Sequence, residues 1–418
     1  MKKFITHWTF AFVTLVVLTY TGLQEPFVKE ILKLKSFDIL IQQEEVELSS
    51  DIGIVTIDEK SIEKYGQWPW KRDVLAQVIT DLRQSGAGVI MIPILFSEED
   101  RLGGDDILTQ TLKDNGVVIA QVGTSQINKN SVPRGVAKIG NPLPYLFEWD
   151  GMLGPIQKLG QNANGVGVIN TAPEIDGVVR RIPLIMRIGE DTYPTMAVEV
   201  IRVATGNPSY QVKAGDGGVQ AIRVPGFPII NTDPNARIWL HWNKTFETIS
   251  AAENDFSKFN GRTVIIGTTA EGLGGIIGTP VGEQYDYMLS ASTLQTMIDG
   301  KQINRYDVSS FLELVLSFVL GIVVILISRF TPYWFVGVGM LSLYGMSVYG
   351  SYYLFNQHLI LSDVSWIIIV ITIVGMHSIF NRFILEFRLK QQIRKQFETY
   401  LDPRQVAELQ KDPSKLKL

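Results

Sequence analysis

Four long apolar stretches, 4–23, 309–328, 333–354 and 361–380, constrain this chain more than any other feature it has. The first contains no Asp, Glu, Lys or Arg, and about 20 apolar residues suffice to cross a hydrocarbon core. The spacing predicts one span at the start of the chain and three close together near its end. A region of ordinary polarity, 24–308, lies between them. The segment Leu18-Thr19-Tyr20-Thr21-Gly22 lacks the small-x-small step at which signal peptides are cleaved, so the first span reads as a retained anchor.

Charge orients the spans. Lys2 and Lys3 precede the first, and Arg329 is the sole charge in the short loop after the second. The tail from Arg382 carries nine Lys/Arg against five Asp/Glu, a net of +4. Segment 24–308 carries 26 against 35, a net of −9. Short positive segments stay in the cytoplasm. Both termini are therefore expected inside and the acidic region outside. With no cysteine in 418 residues, disulfides, thiolate metal sites and cysteine nucleophiles are excluded together. An exported domain held by its core alone fits a bacterial inner (plasma) membrane with the domain in the periplasm or outside the cell.

Within 24–308, residues 27–43 place Phe27, Ile31, Leu34 and Ile41 at helical spacing, predicting a stalk helix. The runs 51–58 and 89–96 are β-branched, with an amphipathic helix expected over 72–84 between them; a helix over 105–113 and a strand over 117–122 follow. Strand and helix alternating, with nearly uninterrupted apolar strands, predict an α/β domain on a mostly parallel or mixed sheet with helices on both faces. Pro93 interrupts the second strand and is expected at a bulge or an end. Further on, 178–188 reads as one half-exposed strand, 194–205 as a helix, 236–242 and 263–268 as strands, and 288–299 as the last helix before the membrane.

Several groups could carry chemistry. The glycine-rich run after 263–268, with Glu271 in it, lacks the dinucleotide and Gly-Lys-Ser/Thr spacings and reads first as a tight turn. Asp58 follows an expected parallel strand, at the edge where open sheets bind ligands. With Asp51, Glu59 and Asp73 it has no metal-ligand spacing, and His241 is the region's one histidine, so solvated turn acids are the leading reading. Trp68-Pro69-Trp70 makes a rigid aromatic ridge suited to stacking on a ring-bearing ligand or to plugging the sheet. Arg180 and Arg181, adjacent on a strand, point to opposite faces, so one at most reaches a pocket. Asp58, Trp68, Trp70, Arg180 and Glu271 are the ligand-binding candidates. Glu313 and His377 lie within apolar spans, but near their ends.

The blocks DIGIVTIDEKSI, GQWPWKR, ILFSEED, DGVVRRIPL and TVIIGTTAEGLG, taken in order, resemble the type-2 CHASE extracellular sensor domain over about 35–300. This implies a signal-receiving domain with one span before it and three after. Two positions depart from the family: Pro93 stands where an acidic residue is frequent, and Ser290-Ala291-Ser292 replaces a His-Ala-Asn step. The tail, Phe397-x-x-Tyr400-Leu401-Asp402-Pro403 with Val406, Leu409 and Asp412-Pro413, resembles the cyclase-transducing element that precedes class III adenylate and guanylate cyclase domains. In it Asp402 can cap a helix that opens on Pro403.

The expectation is a receptor of four parts: an anchor at 1–23, a sensor at 24–308, three spans at 309–381, and a signalling helix with transducing element at 382–418. The stripe Leu389, Ile393, Phe397 and Tyr400 suits pairing with a second copy of the chain. The transducing element, with Asp402 and Pro403, would pass the signal on. The expected partners are that second copy, membrane lipid and an unknown extracytoplasmic ligand, with no nucleic acid. No cofactor and no catalysis are expected in this chain; ATP with Mg2+ or Mn2+ belongs to a cyclase domain beyond it. The alternatives are a sensor for a serine/threonine or histidine kinase, or a membrane-anchored binding protein.

Overall fold

The computed structural model describes residues 8–126, 132–133, 135–306 and 308–400. The chain divides into two compact units, one made of 1–37 with 306–418 and the other of Asp38–Arg305. The second unit begins at Asp38, within the expected stalk helix.

The helical unit contains α1 (Trp8–Leu23), the first part of α2 (Phe27–Gln42), and three later helices, α9, α10 and α11. Helix α9 is Ser309–Phe330, α10 is Tyr333–His358 and α11 is Ser365–Tyr400. Among the described residues two helices, α9 and α11, are long and apolar enough to cross a membrane; α1 with α2, bent by 77° at their junction, makes a third if the pair is one span. The sequence predicted four spans. Helix α10 is long enough at 26 residues, but its tyrosines, serines and glycines dilute its apolarity. Helix α1 has only 16 described residues. Ala11 and Leu15 of α1, Val324 and Ile325 of α9, and Ile367, Val370, Ile371 and Val374 of α11 form a shared core. Gly321 makes this approach possible: a Cβ there would come within 2.4 Å of Leu15, and small residues are what let membrane helices close on one another. Thr14 and His377 are linked at 2.8 Å, as are Tyr344 and Thr372. Glu313 accepts a bond from the backbone N–H of Asp363 at 2.7 Å. Glu313 and His377 are thus engaged by the loop before α11 and by α1.

The unit Asp38–Arg305 is built on a seven-stranded sheet. Its strands are β1 (Glu47–Ile57), β2 (Ile90–Ile92), β3 (Val117–Thr124), β4 (Gly151–Leu153), β5 (Gly165–Val168), β6 (Lys244–Ser250) and β7 (Thr263–Thr268). They lie in the order β6-β1-β7-β2-β3, where β3 pairs with β5 in parallel and with β4 antiparallel. All other neighbours are parallel. Parallel strands need crossovers, and helices on both faces supply them. On one face Val55, Ile57, Val166 and Ile266 pack with Leu75, Ile79 and Leu82 of α4 (Arg72–Gln84) and with Leu108 and Leu112 of α5 (Asp105–Asp114). On the other, Gly167 lets Met196 of α7 (Met196–Ala204) come close, and Gly267 does the same for Tyr287 of α8 (Tyr287–Asp299).

The predicted mixed α/β sheet is therefore present, with local differences. Strand β2 stops at Ile92 because Pro93 has no N–H to continue the ladder. The single strand expected over 178–188 is two, Arg181–Pro183 and Ile185–Ile188, which pair with different partners. Smaller sheets and ribbons complete the unit.

Candidate functional site

The loops that leave the carboxyl ends of β1, β2 and β7 form one edge of the sheet, the edge at which open α/β sheets bind ligands. Asp58 closes β1 and starts α3 (Glu59–Tyr65). Its carboxylate accepts the Ser61 N–H at 3.0 Å, while the Ser61 hydroxyl accepts the Asp58 N–H at 2.8 Å, a reciprocal capping box. The Ser250 hydroxyl adds a third bond at 2.6 Å. Burial alone would raise its carboxyl, but the bonds from Ser250 and Ser61 hold it below the ordinary value. Glu271 is exposed, and its N–H donates to Glu59 at 2.9 Å. The N–H groups of Thr269 and Ala270 both donate to the Ile57 carbonyl. Asp58 and Glu271 thus tie the edge loops together, and neither lines the groove described next.

That groove, of about 450 Å3, runs between the Trp68-Pro69-Trp70 ridge and the loop that follows β2. Two blocks far apart in sequence, GQWPWKR and ILFSEED, meet here. Trp70 is buried; its Nε1 donates to the Gly66 carbonyl at 2.8 Å, and its ring meets those of Tyr65 and Trp68 edge-on at 5.1 and 5.3 Å. Trp68 is only partly buried and presents ring surface to the groove. Arg72 holds the opposite wall: its guanidinium binds Asp105 and the Glu98 carbonyl, lies 5.3 Å from the Phe96 ring, and its N–H donates to Asp100 at 2.9 Å. Glu98 and Glu99 stand exposed on the rim. Arg101 is exposed there too, so the rim's exposed charges, Glu98, Glu99 and Arg101, are net acidic, and an aromatic wall below them suits a ring-bearing, cationic ligand.

Arg180 is elsewhere. It is wholly buried, and its guanidinium is held by two carboxylates: Nε and Nη2 donate to Asp38 at 2.6 and 2.8 Å, Nη1 and Nη2 to Asp176 at 2.8 and 2.7 Å. Four of its five N–H donors are spent and the side chain is wholly buried, so this arginine lines no pocket and instead fastens the end of α2 to the rest of the Asp38–Arg305 unit. Arg181, on the opposite face, is held by Glu174 at 2.6 Å and lies 4.7 Å from the Trp239 ring.

Beside this clamp is a junction the sequence reading missed. His241, almost fully buried, has Nδ1 2.8 Å from the Glu44 carboxylate and Nε2 2.8 Å from the Lys301 carbonyl. Both ring nitrogens face acceptors, so the ring is held at both ends. Glu44 lies just after α2 and Lys301 just after α8, so one side chain joins the start of the Asp38–Arg305 unit to its end. A lone histidine carries no pattern of its own. The legible sign was Asp38, an acid between apolar Phe37 and Ile39 on the stalk, which needed a buried partner.

Among the described residues no group of three or more His, Asp or Glu could hold a metal ion. Leu389 and Ile393 lie on the exposed surface of α11 at 56 and 44 % exposure. The side chains of Phe397 and Tyr400, together with Asp402 and Pro403, lie outside the described residues.

A family model for the CHASE2 domain matches residues 10–328, reaching past 35–300 on both sides into the flanking helices. No curated protein and no solved structure gives a significant match.

Proposed function

We propose, from the fact that this chain belongs to the CHASE2 domain family, an extracellular sensor module of signalling receptors, that it is the receptor portion of a class III adenylate cyclase. A ring-bearing, cationic ligand would seat against Trp68 at the sheet edge. The observation that carries the receptor reading is the His241 junction, where the incoming and outgoing segments are bonded to one side chain. A small shift in the sensor would move both connections together, and such coupled rigid shifts are how packed domains signal.

In this reading the chain is a multi-pass protein of the bacterial inner membrane, with four crossings, sensor outside and both termini inside. It forms a parallel homodimer along the Leu389, Ile393, Phe397 and Tyr400 stripe. The chain itself makes no cyclic AMP; it sets the geometry of two cyclase domains that bind ATP with Mg2+ or Mn2+. The exposure of Leu389 and Ile393 and the resemblance of the tail support this output.

Alkaline phosphatase fused after Asn304 is expected to be active and the same fusion after Lys390 inactive; the reverse pattern refutes the topology. For the output, cells expressing the complete reading frame should gain cyclic AMP, and Glu44→Gln should change its level without changing the amount of protein. A complete frame that raises no cyclic nucleotide refutes the cyclase assignment.

A further inference from the structure

The helical unit has a half-open pocket of about 430 Å3 near the Arg329 end of α9, lined by residues of α1, α9 and α11. Two of its lining groups, Ser378 Oγ and Asn381 Nδ2, are buried without a hydrogen-bond partner among the described residues; Ser378 is 7 % exposed and Asn381 3 %. Most hydroxyls of the bundle are placed differently. Thr14, Thr19, Ser342, Ser347 and Thr372 each donate to the carbonyl four residues earlier, whereas Ser378 does not. A buried donor without an acceptor is unfavourable, so a pair on one wall marks a place where something else accepts.

Water does not account for the space. At about 30 Å3 per molecule, the cavity has room for roughly a dozen waters, far more than two donors would organise. Its charge is more selective. Arg329 and Arg382 bring two positive charges and Glu386 one negative. Arg382 is fixed: it donates to the Ser328 carbonyl at 3.0 Å, to the Thr331 carbonyl and to Glu386, and sits 4.8 Å from the Tyr333 ring. Arg329 is exposed, over the Phe330 ring at 5.9 Å. A hydroxyl, a carboxamide N–H and a guanidinium, with one net positive charge, present donors to a single acceptor-rich monoanion. Ala11, Ile325 and Leu385 supply apolar wall beside them.

We propose that this cavity seats the phosphodiester of a membrane phospholipid, held by Arg329, Ser378 and Asn381, with its glycerol end against the apolar wall. The proposal rests on the reading that the helical unit spans a membrane. Charge-assisted bonds to phosphate supply the strength, and basic pockets between membrane helices suit lipid headgroups. A free phosphate ion would leave the apolar wall unused.

The full chain, purified in a maltoside detergent and delipidated, is titrated with phosphatidylglycerol; bound lipid is read by native mass spectrometry and stability by tryptophan fluorescence on heating. One lipid should bind per chain and raise the melting temperature. Arg329→Gln, at an exposed position, and Asn381→Leu should each raise the half-saturating concentration about tenfold. A diglyceride lacking phosphate should neither bind nor stabilise, and inorganic phosphate should have no effect. Equal stabilisation by the diglyceride, equal binding by inorganic phosphate, or unchanged lipid affinity in Arg329→Gln overturns the proposal. Failure of the protein to float with liposomes would refute the membrane reading itself; flotation without a bound lipid refutes this inference alone.

Discussion

Replacing Arg180 by methionine tests the buried clamp. The guanidinium is 0 % exposed and makes four charge-assisted bonds to Asp38 and Asp176, whose side chains are only 9 and 12 % exposed. Burial alone would favour its neutral form, but the bonds it donates to Asp176 and Asp38 hold its pKa above the ordinary arginine value, so it stays charged. Methionine fills most of the volume, which limits the cavity term, but it strands two carboxylates beside each other. Removing one partner of a buried ion pair costs about 3–5 kcal/mol, and two stranded acids place this case at the upper end. Asp176→Asn leaves one arginine facing one carboxylate and should cost about 1–2 kcal/mol. The assay is urea unfolding of the full chain in detergent, followed by tryptophan fluorescence; five of the eight tryptophans lie in Asp38–Arg305. Acid should recover part of the Arg180→Met loss by protonating the stranded carboxylates. A loss below about 1 kcal/mol at neutral pH, or one that grows in acid, refutes the clamp.

Three further outcomes are expected. Asp58→Ala should cost about 1 kcal/mol through the lost cap. Because the folded carboxyl lies below its ordinary value, that contribution is present above the ordinary carboxylate range and disappears as pH falls through the lowered folded value. Variant and parent should therefore converge in acid, and a constant offset in melting temperature between pH 3 and pH 7 contradicts the cap. Trp70→Ala should cost about 3–5 kcal/mol as a buried aromatic, and Trp68→Ala clearly less; equal losses in urea unfolding would make Trp68 a packing residue rather than a groove wall. Ile393→Cys should cross-link in oxidised membranes faster than Gln392→Cys, with no other cysteine to interfere; equal rates contradict the paired helix.

The parallel sheet was legible because β1, β2, β3 and β7 are continuous apolar runs separated by amphipathic helices, a pattern only a sheet covered on both faces explains. Pro93 marked the end of β2 for the same local reason that ends it in the structure. The two strands within 178–188 were not legible, because Leu184, buried like its neighbours, gives no alternation to show that the chain changes partners there. The groove could be suspected from its tryptophans, but its opposite wall depends on Arg72 meeting Asp105 and Asp100 across tertiary space. Arg180 shows the limit most plainly. Its partners are Asp176, four residues away, and Asp38, far earlier in the chain; periodicity says that such an arginine leaves one face of a strand, and says nothing of what waits there.

Helix α11 runs 36 residues from Ser365 to Tyr400 without a break. At 1.5 Å per residue it is a rod of about 54 Å, with no internal proline or glycine-serine pair at which a turn could be absorbed. Such a shaft has a phase. Each residue added or removed between Arg388 and Gln396 turns whatever follows by about 100°. A series of one- to seven-residue insertions should therefore make output rise and fall with the helical repeat rather than decline steadily with length.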